Sequence, residues 1–219
     1  MTTAAPAPGH VVLLGDSIFD NKSYVGRDPD VVAQVREALP AGWRATLLAV
    51  DGDVTGGVER QLRSLPADAT HLVVSVGGND ALGFAHVLNQ PAGSVAEGLL
   101  LLKGAQDPFA RNYEAMLDGV MGHGLPTAVC TIYDTPPSSP SHAVIRTGLA
   151  VFNDAITRSA FRSGVTLIDL RLLCEEDADY ANPIEPSAHG GEKIAAAIAG
   201  WALGTGEQER SRVVARRPS

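Results

Sequence analysis

Cysteine and long hydrophobic runs are both scarce in this sequence. The only cysteines among 219 residues are Cys130 and Cys174, which are too few and too far apart for a disulfide framework or a four-ligand zinc site. No stretch approaches the roughly 18 apolar residues of a membrane-spanning helix. The first ten residues contain no lysine or arginine, so the start of the chain lacks the basic region of a secretory signal. We therefore expect a cytoplasmic protein without disulfides or a bound metal.

Positively charged residues are also fewer than negatively charged ones. The chain carries 17 lysines and arginines against 25 aspartates and glutamates, a net charge of −8. Such a chain has no basic field to attract nucleic acid or an anionic membrane surface. It also contains neither a Gly-x-Gly-x-x-Gly nor a Walker A pattern, so no nucleotide cofactor is indicated. We expect no nucleic acid, membrane or cofactor among its partners.

Hydrophobic residues make up 45% of the chain, enough for one domain with a sizeable core. Short apolar runs typical of strands buried on both faces occur at residues 10–14, 45–50, 71–76, 127–132 and 165–170. Helical patterns lie between or after them at residues 30–39, 57–65, 113–121, 143–161 and 192–203. This alternation predicts an α/β fold of three layers, with a five-stranded, mainly parallel sheet between helices.

The flanks of the chain differ from its centre. Residues 1–9 are rich in Thr, Ala and Pro and predict a flexible arm, and residues 204–219 predict a solvated tail. Residues 10–203 form the predicted domain.

Three of the predicted strands end in polar or glycine-containing turns. The first runs into Gly15-Asp16-Ser17, the second is followed by Gly52, and the third ends in Gly77-Gly78-Asn79-Asp80. Each turn has a simpler explanation when it is taken alone: a helix cap for the first and ordinary turns for the others. The carboxyl ends of parallel strands, however, meet at one crevice.

Together the three turns predict a site for acyl transfer. Ser17 would be the nucleophile, and the backbone N–H of Gly52 and the side-chain amide of Asn79 would stabilise a developing oxyanion. The nucleophile elbow of the α/β-hydrolases is excluded, because Phe19 stands where that Gly-x-Ser-x-Gly motif requires glycine.

These blocks, in this order and on these strands, resemble the SGNH (GDSL) hydrolases. The resemblance spans about residues 10–203. It implies a flavodoxin-like α/β/α sandwich that hydrolyses esters, thioesters or acetylated carbohydrates without a metal. The Gly-Asp-Ser and Gly-Gly-Asn-Asp blocks are specific, whereas the glycine between them is not.

The fourth block departs from the family pattern, in which Asp-x-x-His-Pro precedes the last helix. Alignment on the proline and on that helix puts Glu185 at the histidine position and Asn182 at the aspartate position. Two chemical hypotheses follow. In the first, Glu185 is the base, burial raises its pKa, and Asn182 orients it. In the second, His189 is the base that reaches Ser17, and Glu185 holds the other ring nitrogen of His189. The alternative is that His189 is an exposed histidine without a catalytic role.

The sequence therefore predicts a serine hydrolase or acyltransferase that acts on a small acyl ester, with Asp16 and Asn182 as further candidates for contact with substrate. The alternative is a catalytically silent protein of the same fold. Its crevice would bind an acyl or carbohydrate ligand, or a partner protein, without turnover.

Overall fold

Five buried strands lie side by side at the centre of the computed structural model, which describes residues 8–205. They are β1 (His10–Gly15), β2 (Arg44–Leu47), β3 (His71–Ser75), β4 (Thr127–Cys130) and β5 (Thr166–Ile168). All adjacent pairs are parallel, and the strand order is β2-β1-β3-β4-β5. This is the flavodoxin-like order, in which ligands bind beyond the carboxyl ends of the strands. The predicted α/β sandwich is confirmed.

Helices cover both faces of the sheet. They are α1 (Lys22–Val25), α2 (Val31–Ala38), α3 (Val58–Leu62), α4 (Gly78–Gly83), α5 (Val95–Met121), α6 (His142–Ser163) and α7 (Ala188–Leu203). Helices α2 and α7 pack together on one face, and α5 and α6 pack together on the other. Alternate residues of each strand enter different cores, so that Leu13 contributes to the first and Leu14 to the second. Burial on both faces explains the continuously apolar strands.

Two features differ from what the sequence pattern suggests. Helix α5 begins after the N-cap residue Ser94 and contains Pro108, whereas the pattern predicts only residues 113–121. Its first turns carry exposed apolar residues such as Leu99 and Leu100, which obscure the helical periodicity. The second feature is a two-stranded antiparallel hairpin of β6 (Tyr180–Asn182) and β7 (Glu185–Pro186).

The predicted arm at residues 1–9 and the predicted tail at residues 204–219 lie largely outside the described residues. Within residues 8–205, no helix combines the length and the apolar character needed to cross a bilayer.

Candidate active site

The end of β1 is held tightly against its neighbours. Gly15 has a φ of 124°, and a Cβ at this position would lie 1.8 Å from the carbonyl oxygen of Ser75, so only glycine fits. The amide of Gln61 pairs with both backbone groups of Gly15: its Oε1 accepts from the Gly15 N–H at 2.8 Å, and its Nε2 donates to the Gly15 carbonyl at 2.8 Å. The next residue, Asp16, donates its backbone N–H to Ser75 at 3.0 Å. These contacts fix the direction in which Ser17 leaves the sheet.

Ser17 lines a cavity at the carboxyl edge of the sheet and is 6% exposed. Glu185 lines the same cavity and is 4% exposed. The Ser17 hydroxyl lies close enough to the Glu185 carboxyl to lower its pKa. The fold therefore brings together the serine of the first block and the glutamate of the fourth.

The backbone around Glu185 is anchored on both sides. The phenol of Tyr133 donates to the carbonyl of Ile184 at 2.9 Å, and the amide of the fully buried Asn21 donates to the carbonyl of Pro186 at 3.2 Å. The Oδ1 atom of Asn182 accepts from the N–H of Ile184 at 2.9 Å, which closes the turn of the hairpin. Asn182 therefore shapes the loop that carries Glu185.

Burial changes the acid–base properties of Glu185. Removal from water, together with the negative charge of Asp51, raises the pKa of this carboxyl to about 7. The nearby Ser17 hydroxyl acts in the opposite direction. Its Oε2 atom has no hydrogen-bond partner among the described residues. A carboxylate in this state accepts a proton near neutral pH far more readily than an exposed one.

Asp16 is a second buried carboxyl at the site and also lines the cavity. Burial, together with the negative charges of Glu185 and Asp80, raises its pKa to about 8. The N–H groups of Ile18 and Gly77 act in the opposite direction. Two neighbouring carboxyls of this kind titrate as a coupled pair.

The third block supplies a hydrogen-bond donor at the cavity, the side-chain amide of Asn79. Asn79 lines the cavity, and its Nδ2 donates to the backbone carbonyl of Asp53 at 2.8 Å. Because a side-chain amide has two N–H groups, this bond orients Asn79 and leaves one donor. The carboxylate of Asp80 accepts from both the N–H of Thr55 at 3.0 Å and its hydroxyl at 2.7 Å, which ties the two blocks together.

Gly52 lies in the exposed turn after β2, with a φ of 81°. It is not among the residues that line the cavity. The N–H groups beside it are already used: Asp51 donates to Asp20 Oδ2 at 3.0 Å, and Asp53 donates to the Val50 carbonyl at 3.0 Å.

His189 lies elsewhere. It is in the first turn of α7, whose N-cap is Ser187, with its side chain 51% exposed. Its Nε2 is 3.8 Å from Asp179 Oδ1, and it is absent from the cavity lining. The structure brings Glu185 to Ser17 and places His189 beside Asp179.

The cavity has a volume of about 210 Å³ and extends from the polar end into apolar walls. Those walls come from α4 and the turn after it, from α5 and from α6, and they include Leu82, Leu88, Leu102, Ile145, Leu149 and Phe152. Within residues 8–205, no group of three or more His, Cys, Asp or Glu side chains is arranged to hold a metal ion.

Three positioning residues carry no obvious sequence signal. Gln61, Asn21 and Tyr133 act on the backbone of the site through side-chain hydrogen bonds. Each lies outside the motif blocks, and its partner is distant in sequence. Only the position of Asn21, four residues after Ser17, associates it with a block.

Comparison with solved structures finds the same fold in several ester-cleaving enzymes. The extracellular lipase of Streptomyces rimosus superposes with a TM-score of 0.63 at 20% identity, covering 89% of this chain and 99% of its own. The phospholipase A1 of Streptomyces albidoflavus gives 0.62 at 18% identity, covering 90% and 100%. An acetyl xylan esterase gives 0.65 at 15% identity, covering 88% and 98%.

Comparison with curated proteins finds no match. The family model of the GDSL-like lipases and acylhydrolases, in contrast, matches residues 13–193. This range contains all the blocks described above and most of the chain. The chain therefore belongs to the GDSL-like lipase/acylhydrolase family.

Proposed function

We propose that the chain is a serine ester hydrolase in which Glu185 serves as the catalytic base. The observation that carries this proposal is the Ser17 hydroxyl beside a buried carboxyl whose pKa is raised to about 7. At neutral pH a substantial fraction of such a carboxyl is ionised, and its basicity is matched to proton transfer.

The reaction follows from this arrangement. The Glu185 carboxylate takes the hydroxyl proton as Ser17 Oγ forms a bond to the ester carbonyl carbon. The negative charge that develops on the carbonyl oxygen is stabilised by the free N–H of Asn79 and by the backbone N–H of Ser17. Gly52, the third donor that the sequence suggests, does not line the cavity and is not given this role. When the carbon–oxygen bond to the alcohol breaks, Glu185 returns its proton to the departing alcohol.

The acyl group is then bonded to Ser17 Oγ. Water attacks this ester while Glu185 again takes a proton, and the carboxylic acid leaves as Ser17 recovers its hydrogen. An alcohol in place of the water would give acyl transfer by the same steps. Asp16 holds the turn after Ser17 through its bond to the Ile18 N–H at 3.2 Å.

The family relatives support ester chemistry in general. The superposed structures include a lipase, a phospholipase A1 and an acetyl xylan esterase. The three enzymes have in common that they cleave esters.

The proposal is tested with a fluorophosphonate probe and a panel of neutral esters. We expect stoichiometric labelling of wild type, and no labelling and no ester turnover in Ser17→Ala. Equal turnover in wild type and Ser17→Ala would remove Ser17 from the mechanism.

A second candidate function is ligand binding without turnover. It is favoured by the Glu185 Oε2 atom, which has no hydrogen-bond partner among the described residues, so that the base lacks the supporting third group of a catalytic triad. Absence of fluorophosphonate labelling between pH 6 and pH 9, in a protein that still binds esters, would favour this alternative.

A further inference from the structure

We propose that the apolar part of the cavity binds the acyl chain of a medium-chain ester, with about eight carbons in the acyl group. This inference rests on the proposed function, because it assigns the acyl arm of the ester that Ser17 attacks.

The size of the chain follows from the volume of the cavity. A dry cavity of about 150 Å³ accommodates the six carbons of benzene, or roughly 25 Å³ per carbon. At that ratio the 210 Å³ of the whole cavity, including the polar end that takes the ester carbonyl, corresponds to an acyl group of about eight carbons. The walls named above are aliphatic or aromatic, so they bind methylene groups without leaving a polar group unpaired.

The direction of the ester follows from the position of Glu185. This carboxyl returns the proton to the departing alcohol, so the alcohol oxygen lies on its side of the site. That side is polar, because the negative charge of Asp51 acts on Glu185. The Asp51 carboxylate in turn accepts a hydrogen bond from the phenol of Tyr24 at 2.8 Å. The acyl chain therefore extends the other way, between α4, α5 and α6.

The far end of the cavity opens toward solvent. Leu82 and Leu88 line it, yet each is 48% exposed. Methylene groups beyond the cavity remain in water and contribute little. We expect kcat/KM to rise with acyl length to about eight carbons, at up to about fourfold for each buried methylene, and then to level off.

Two isomeric esters test the direction. Ethyl octanoate and octyl acetate have the same formula and similar hydrophobicity, but the long chain is on the acyl side in one and on the alcohol side in the other. We expect wild type to hydrolyse ethyl octanoate with a kcat/KM at least 100-fold above that for octyl acetate. Equal values, or a preference for octyl acetate, would overturn the inference while leaving the ester hydrolase in place.

A matched pair of variants on α6 tests the location. Gly148 lines the cavity, and a Cβ there would lie 4.0 Å from Leu88 Cδ2, so Gly148→Leu extends a side chain into the space for the acyl group. Ala150→Leu makes a similar change at an exposed position of the same helix. We expect Gly148→Leu to lower the ratio of ethyl octanoate to ethyl acetate hydrolysis at least tenfold. Ala150→Leu should preserve this ratio, and equal ratios in both variants would locate the chain elsewhere.

A binding measurement separates this inference from the proposed function. Ser17→Ala is titrated calorimetrically with ethyl octanoate, with and without the added Gly148→Leu change, and we expect the added change to weaken binding at least tenfold. Binding of this kind in a chain that hydrolyses no ester would overturn the proposed function alone. Binding that Gly148→Leu does not alter would overturn the inference.

Discussion

The hydroxyl of Ser17 and the carboxyl of Glu185 both line the buried, polar end of one cavity, although they come from opposite ends of the domain. The nearby Ser17 hydroxyl lowers the pKa of Glu185 while burial raises it, and burial has the larger effect. The pKa of about 7 that results makes the ionisation of Glu185 sensitive to pH near neutrality.

The first prediction concerns the pH dependence of ester hydrolysis. Because the base must be ionised, kcat/KM should fall about tenfold for each pH unit below the apparent pKa near 7. It should approach a plateau above about pH 8, where most of the Glu185 carboxyl is ionised. Initial rates from pH 5 to pH 9 measure this, and a flat profile between pH 5.5 and pH 8.5 would contradict it.

The second prediction separates Glu185 from His189. Glu185→Gln keeps the shape of the side chain but removes its basicity, so kcat should fall by about 10²–10⁴-fold. His189→Gln changes a half-exposed side chain near Asp179, and we expect kcat within twofold of wild type. If His189→Gln causes the large loss and Glu185→Gln does not, the proton acceptor has been assigned to the wrong residue.

The third prediction concerns Gln61 as a positioning residue. Gln61→Leu leaves the N–H of Gly15 buried without a partner, at a cost of about 1–3 kcal/mol, whereas the Gly15 carbonyl still accepts from the N–H of Val50 at 3.1 Å. We expect the free energy of unfolding in urea to fall by about 1–3 kcal/mol. Glu59→Gln on the same helix, where the side chain is 84% exposed, is the control. A loss no larger than that of this control would show that the two bonds contribute little.

The fourth prediction concerns stability as a function of pH. The pKa of Asp16 is raised to about 8 in the folded protein from an ordinary value of 3.8, so between those values the folded state binds more protons than the unfolded state. Stability is therefore full at low pH and falls as pH rises toward 8. In Asp16→Asn the fall from pH 5 to pH 8 should be smaller by at least about 1.4 kcal/mol, the equivalent of one pKa unit.

Urea unfolding of both proteins at pH 5 and pH 8 measures this difference. Groups remote from Asp16 are common to both proteins and cancel in the comparison, whereas the difference includes the linked ionisation of Glu185, whose charge acts on Asp16. An equal fall in both would mean that Asp16 does not hold its proton in the folded state.

The strands and the position of Ser17 are predictable from the sequence because their signals are local. Each strand is continuously apolar, and a polar turn at its end has to lie at the edge of the sheet. This reasoning predicts the fold and predicts that Ser17 and Asn79 lie at the same edge of the sheet. It fails for α5, where exposed leucines conceal the helical period.

The environment of Glu185 is not predictable in the same way. It depends on a hairpin with Pro183 and Pro186, and on contacts from Asn21 and Tyr133 that are distant in sequence. The sequence raises both Glu185 and His189 as bases, because no local pattern specifies which one the loop carries to Ser17. Only the path of the backbone distinguishes them.

The contacts that anchor the β6–β7 hairpin are made to main-chain groups of Ile184 and Pro186. They therefore do not depend on which side chain occupies position 185. A substitution at position 185 changes the proton affinity of the side chain and keeps these main-chain contacts. The residues that position the loop are thus different from the residue that would carry the proton, so either can be replaced separately.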